Sequence, residues 1–166
     1  PILILQVAAP TICKWLTDQA MAAGEGIGRD MSNYRVMSAA PAFTGDKKSA
    51  IEKVKWFPAM VGNHVADIVE KYGAGSDEVP SSLTSYIKNR RGYDYSKHGQ
   101  SDNPYLDFIT DDIVEEFCIL GEPEEHIEKL NTLKAAGVTQ FNIYLDSGDE
   151  EKIISDYGEH VIPAFS

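Results

Sequence analysis

An α/β fold with parallel strands is what this sequence predicts, on three observations. Three short apolar runs, Ile2 to Val7, Tyr34 to Ala40 and Val138 to Leu145, are separated by stretches with helical periodicity. Consecutive parallel strands joined by helices are βα units. The chain has 166 residues, the length of one ordinary domain, so a single domain over 1–166 is expected. Three strands make a thin sheet. A closed (β/α)8 barrel needs eight strands and usually about 250 residues, so the chain cannot close one by itself.

Each element has a local reason. The run ILILQV is apolar apart from Gln6, which suits a strand covered on both faces. Ala8 to Thr11 turn the chain, and Thr11 is placed to cap a helix to about Ala23 with Ile12, Leu16 and Ala20 on one face. The glycines of GEGIGRD end that helix. Asp46 to Tyr72 repeats apolar residues at helical spacing, but Pro58 lacks an amide hydrogen, so two helices or one bent helix are expected. Ser81 to Asn89 reads as a short helix, and Arg91 to Pro104 as a loop long enough to suggest a role.

Further on, Thr110 caps a helix to about Leu120, with Asp111 and Asp112 at the positive end of its dipole and Gly121 as its stop. Pro123 opens the next helix, where its missing N–H costs nothing, and Gly137 fits the left-handed position after its last turn. The strand Val138 to Leu145 follows, and Asp149 to Phe165 supplies a last helix.

Charge and composition narrow the function. The net charge of -11 disfavours nucleic acid, whose binders concentrate Lys and Arg on one face. No stretch approaches the roughly 20 consecutive apolar residues of a membrane span, and the apolar N-terminus has no basic region before it, so it makes a poor signal peptide. Cys13 and Cys118 lie beside apolar residues in expected helices, as free thiols of a reduced, cytoplasmic chain do.

Several stretches taken together carry a resemblance: LILQVA, GRDMSNYRVMSAAPAFTGD, VKWFPAMVGNHVADIVEKYG, and FCILGEPEEHIEKL followed by AAGVTQFNIYL and VIPAF. In this order they are similar to the C-terminal part of the luciferase-like flavin- or deazaflavin-dependent oxidoreductases, a family that includes monooxygenases. The blocks GNHVADIVEKYG and RRGYDY point to the deazaflavin-dependent branch.

The resemblance implies a partial (β/α)8 TIM barrel: its last three βα units, from the sixth strand onward, with a helical insertion at about 46–120 between the seventh and eighth strands. It also implies hydride transfer to or from a small organic substrate, with FMN or a deazaflavin coenzyme of the F-420 type as cofactor. The first five strands, which carry much of the isoalloxazine surface and the main acid/base residues in the family, have no counterpart here. Activity of the chain alone is therefore not expected. It calls for a complementing barrel segment or self-association as a homo-oligomer, since unpaired sheet edges recruit partners. A non-catalytic, self-associating truncated barrel is the alternative.

Barrel enzymes hold ligands at the C-terminal ends of their strands, which fall here at Gln6 to Thr11, Ala40 to Thr44 and Asp146 to Asp149. The resemblance makes the first turn a cofactor-phosphate site of Gln6, Ala8, Ala9 and Thr11, with the free N–H groups of a helix start as donors. The plainer alternative is that Thr11 is only an N-cap. Lys88, Arg90 and Arg91, followed by Tyr93 and Tyr95, form the one concentrated basic and aromatic patch, either a holder of a substrate anion or a solvated helix end. His64, His98, His126 and His160 show no metal-ligand spacing, and no GxSxG elbow is present. His126 falls among polar residues and is expected at the surface, while His64 is expected in a core, interface or pocket position.

Overall fold

The computed structural model describes residues 2–72, 106, 108–145 and 148–166. The elements run β1 (Ile2–Leu5), α1 (Pro10–Gly26), β2 (Arg35–Thr44), α2 (Lys47–Val54) and α3 (Trp56–Tyr72), then α4 (Asp111–Phe117), β3 (Ile119–Gly121), α5 (Pro123–Ala135), β4 (Gln140–Tyr144) and α6 (Glu150–Asp156). After α6 the chain widens into a π-type turn over Tyr157–Val161 and tightens into a 3-10 turn over Ile162–Phe165.

Among the described residues the sheet has four strands, all parallel, and it is not closed. The long strand β2 is its centre: β1 pairs along Arg35 to Ser38, β4 along Met37 to Pro41, and β3 along Ala42 to Thr44. The strand β3 corrects the expected count of three. It was hidden because ILG is only three residues long and follows a helix at once. The helix α4 ends at Phe117 and not at Leu120, and Cys118 is its C-cap instead of a helical residue. Gly121 closes a strand and does not stop a helix; its φ of 118° lies in the region glycine favours.

Alternation along the strands defines two faces. Leu5, Val36, Ala40 and Ala42 point to the side packed by helices, and they join Ile12, Val54, Phe117, Leu133 and Ile153 in the core. The opposite face carries Ile2 at 46% exposure and Ile4 at 58%, so β1 is covered on one face only, contrary to the reading of ILILQV. The same open face carries Gln6, Arg35, Met37, Gln140, Asn142 and Tyr144 by the pairing register. Arg35 Nη2 donates to Gln140 Oε1 at 3.2 Å, and Gln140 Nε2 donates to Asn142 Oδ1 at 2.9 Å, a polar ladder along this face.

Helix boundaries follow their caps. Asp46 accepts from Ser49 N at 2.9 Å and starts α2, and Thr110 accepts from Ile113 N at 3.4 Å and starts α4. Pro58 lies in the first turn of α3, where a missing N–H is tolerated, so the apolar stretch divides into two helices at Lys55. Gly137, with φ 97°, ends α5 in the left-handed conformation. The carbonyl end of α4 is satisfied by a side chain: Lys129 Nζ donates to the carbonyls of Glu115 at 2.5 Å, Glu116 at 2.9 Å and Cys118 at 2.5 Å.

Candidate functional site

The C-terminal ends of the parallel strands lie close together, and three groups of side chains meet there. The first is the turn after β1. Ala8 and Ala9 are fully buried, and Ala8 N–H donates to the Phe117 carbonyl at 2.9 Å, which fixes the turn against the end of α4. Helix α1 begins at Pro10 with Ala9 as its N-cap and without a side-chain cap. Thr11 is therefore not the cap: Pro10, pre-set for the first helical position, moves the start one residue earlier and leaves the Thr11 side chain exposed in the first turn. Cys13 lies just below, where its Sγ donates to Val7 O at 3.4 Å and burial pushes its thiol up to about 11. Such a thiol is inert at neutral pH.

The second group crosses the open face. Gln6 Nε2 donates to the Tyr144 hydroxyl at 2.9 Å, joining the ends of β1 and β4 over β2. Phe57, fully buried in the first turn of α3, meets the Tyr144 ring edge-on at 5.7 Å and 77°. Neither Tyr144 nor Phe57 stood out in the sequence. The signal was available in the period of two that puts Tyr144 on the same face as Gln140 and Asn142.

The third group is at the end of β2. The Thr44 hydroxyl donates to Asp156 Oδ2, and Lys152 Nζ donates to Thr44 O and Oγ1, both at 3.2 Å, and to Asp156 at 2.5 Å. These bonds hold the Asp156 carboxyl below its usual range, with the Lys152 contact the largest cause. Lys53 pairs with Asp149 and lies 4.6 Å from the Phe43 ring centroid. Behind this end, His126 is fully buried between α5, β2 and the C-terminal turn. That corrects the surface position expected for it: His126, Leu130 and Leu133 share one helix face, and the imidazole is paid for by two hydrogen bonds.

His64 lies exposed on α3, and His160, exposed in the C-terminal turn, is near enough to Asp156 to help lower its carboxyl. Lys88, Arg90 and Arg91, with Tyr93, Tyr95 and His98, lie outside the described residues. Among the described residues no group of three or more His, Cys, Asp or Glu side chains could hold a metal ion, and no helix is long and apolar enough to cross a membrane.

Parallel strands with side chains gathered at their C-terminal ends are a feature also of barrel enzymes, although the sheet here is open. A family model described as luciferase-like monooxygenase matches residues 1–140, and the chain belongs to that family. It is 28% identical over 163 residues to the 5,10-methylenetetrahydromethanopterin reductase of Methanopyrus kandleri, an alignment covering 96% of this chain and 41% of that protein.

Two solved structures are similar in fold. The coenzyme F420-dependent tetrahydromethanopterin reductase from Methanopyrus kandleri superposes with a TM-score of 0.61 at 22% identity, over 99% of this chain and 45% of that one. An F420-dependent secondary alcohol dehydrogenase in complex with an F420-acetone adduct gives 0.57 at 18% identity, over 99% and 42%. The chain thus spans about two fifths of the length of these relatives.

Proposed function

We propose that this chain is the closing portion of a luciferase-like barrel oxidoreductase, its last four βα units, β1 to β4, with a helical insertion between β2 and β3, within a single domain over 1–166. It binds a deazaflavin coenzyme of the F420 class and acts where a hydride passes to or from a small organic substrate. The F420 dependence of the two structurally similar enzymes favours that coenzyme over FMN.

The observation that carries this reading is the convergence of strand ends: the turn from Gln6 to Thr11, Tyr144 and Thr44 all lie at the C-terminal rim of one parallel sheet. The turn fits a phosphate in two respects. Ala8 and Ala9 place only methyl groups there, and the start of α1 has no side-chain cap, which leaves the first-turn N–H groups of Thr11 and Ile12 for an outside acceptor. Pro10 brings no N–H, so the exposed Thr11 hydroxyl supplies the remaining donor. When bound, the coenzyme supplies the hydride chemistry, and this chain's residues bind and orient it. Lys88, Arg90 and Arg91 hold an anionic group of the substrate in this reading.

The sheet also needs cover. The open face bears the exposed Ile2 and Ile4, and among the described residues β1 and β4 pair only with β2. A complementing barrel segment supplies that cover, or a second copy does so in the alternative of a non-catalytic, self-associating partial barrel.

The test is titration of the chain and of Thr11→Val with F420 and with its phosphate-free riboflavin-level analogue. The reading expects Thr11→Val to weaken F420 by about tenfold to a hundredfold, one hydrogen bond to a charged acceptor, and to leave the analogue unchanged. Equal effects on both ligands would remove the phosphate from this turn.

A further inference from the structure

A cavity of about 680 Å³ lies away from the rim of strand ends, bounded by α5, the start of β4 and the C-terminal turn. Its walls are apolar and partly aromatic, with Leu133, Phe141, Ile143, Tyr157 and Phe165 among them. Phe141 and Ile143 alternate with the open-face residues Gln140, Asn142 and Tyr144, so the cavity is on the helix side of the sheet. Both flanks are held. The Thr139 hydroxyl and N–H donate to Val36 O at 3.0 and 2.8 Å, which ties the start of β4 to the central strand. Opposite, the Tyr157 hydroxyl is bonded to His126 Nδ1 at 2.8 Å, which seats the C-terminal turn on α5.

One charge stands on the lining. Lys134, exposed in the last turn of α5, is its only charged side chain, and no carboxylate pairs with it among the described residues. In a chain with 26 acidic and 15 basic residues, a lining without acidic side chains and with a free ammonium favours an anion. Ile162 at 59% exposure and Phe165 at 38% leave apolar surface uncovered at the mouth. Small-molecule sites are cavities of roughly 300–1,000 Å³ with mostly apolar walls and few polar groups, and this one has that size and make-up.

We propose that this cavity is a second ligand site, separate from the strand-end turn, for an aromatic monoanion. The ring body lies against the aromatic side chains of β4 and the C-terminal turn, and its carboxylate or sulfonate meets Lys134. The ligand covers Ile162 and Phe165 at the mouth. The site is independent of the coenzyme reading, and a different ligand tests it.

The test is calorimetric titration of the full chain with 2-naphthoate and with its neutral counterpart 2-naphthamide, repeated in Lys134→Gln, Ile162→Glu and Thr11→Val. Both cavity substitutions are at exposed positions, and near-ultraviolet circular dichroism should report an intact fold. The unaltered chain should bind naphthoate saturably, one to one, and about fivefold more tightly than the amide, the upper range for an ion pair in reach of water. Lys134→Gln should make the two ligands equal. Ile162→Glu should weaken naphthoate by about tenfold, through repulsion and lost apolar contact, and the amide by less. Thr11→Val should change neither.

Absence of saturable naphthoate binding, equal affinities for the two ligands in the unaltered chain, or a charge preference that survives in Lys134→Gln would each overturn the site. Sedimentation showing a dimer that Ile162→Glu abolishes, with no naphthoate bound, would give the cavity to a second copy and overturn it too. None of these results bears on F420 binding at the strand ends.

Discussion

Tyr157 donates its hydroxyl hydrogen to His126 Nδ1 across 2.8 Å, and the same imidazole donates from Nε2 to the Phe43 carbonyl at 3.1 Å. A carbonyl can only accept, so Nε2 carries the hydrogen and Nδ1 is the acceptor. Burial pushes the Tyr157 phenol up, which keeps it a donor, and the two rings stand edge-to-face with centroids 5.4 Å apart. One side chain of α5 thereby ties the C-terminal turn to the end of β2, behind the rim where the strand ends meet.

Replacing His126 by Phe keeps the ring volume and leaves the Tyr157 hydroxyl and the Phe43 carbonyl unpaired inside the protein. Each such group costs about 1–3 kcal/mol, so His126→Phe should lower unfolding stability by roughly 2–6 kcal/mol. Urea denaturation at neutral pH measures this, and an unchanged midpoint would show that the imidazole is dispensable.

The same residue sets a pH dependence. Desolvation by burial is the first cause that lowers the His126 pKa, so the folded value lies below that of the unfolded chain, about 6.5. The unfolded state then binds the extra proton first. Stability from this group is complete above about pH 6.5 and is lost as pH falls toward and through the folded value. The unaltered chain should lose urea resistance between about pH 7 and pH 5, before the carboxylates titrate, and His126→Phe should lose distinctly less over that interval.

Lys129 is the second polar group held inside α5's packing face. Its three N–H donors match the three carbonyls at the end of α4, while burial lowers its pKa to about 8. It therefore remains charged at pH 7. Lys129→Met retains the stem and removes the donors, with an expected loss of about 1–3 kcal/mol. Hydrogen exchange should locate that loss in α4 and β3, and protection there equal to that of the unaltered chain would contradict the role.

Gly121 ends β3 with φ 118°, and a Cβ at that position would press on the carboxylate of Glu125 and fall 2.8 Å from Lys47 Cε. Lys47 and Glu125 are ion-paired at 2.5 Å, and Glu125 also accepts from Glu122 N–H at 2.9 Å at the start of α5. Gly121→Ala should cost about 1–3 kcal/mol through backbone strain and this crowding. A thermal midpoint within about a degree of the unaltered chain would refute the strained conformation.

The parallel α/β plan was legible because apolar runs and helix caps are local signals: Asp46, Thr110, Pro123 and Gly137 act where their chemistry suggests. What escaped was tertiary. Strand β3 is too short to show a period, and β2 continues through Pro41 to Thr44, although proline lacks the N–H a strand interior needs. His126 read as a surface residue because it was assigned to the polar side of its helix, and Lys129 gave no signal in the sequence. Their partners, Tyr157, Phe43 and the α4 carbonyls, are distant in sequence or are backbone groups that no pattern announces. Tyr144 and Gln6 are separated by nearly the whole chain, and only the sheet register brings them together.

The most direct test of the central claim is a fluorescence titration of the purified chain with F420 and, in parallel, with FMN. The account predicts saturable micromolar binding of F420, weaker binding of FMN, and no turnover by the chain as a verified monomer. Absence of binding to either coenzyme, or turnover by a monomer at low concentration, would contradict it.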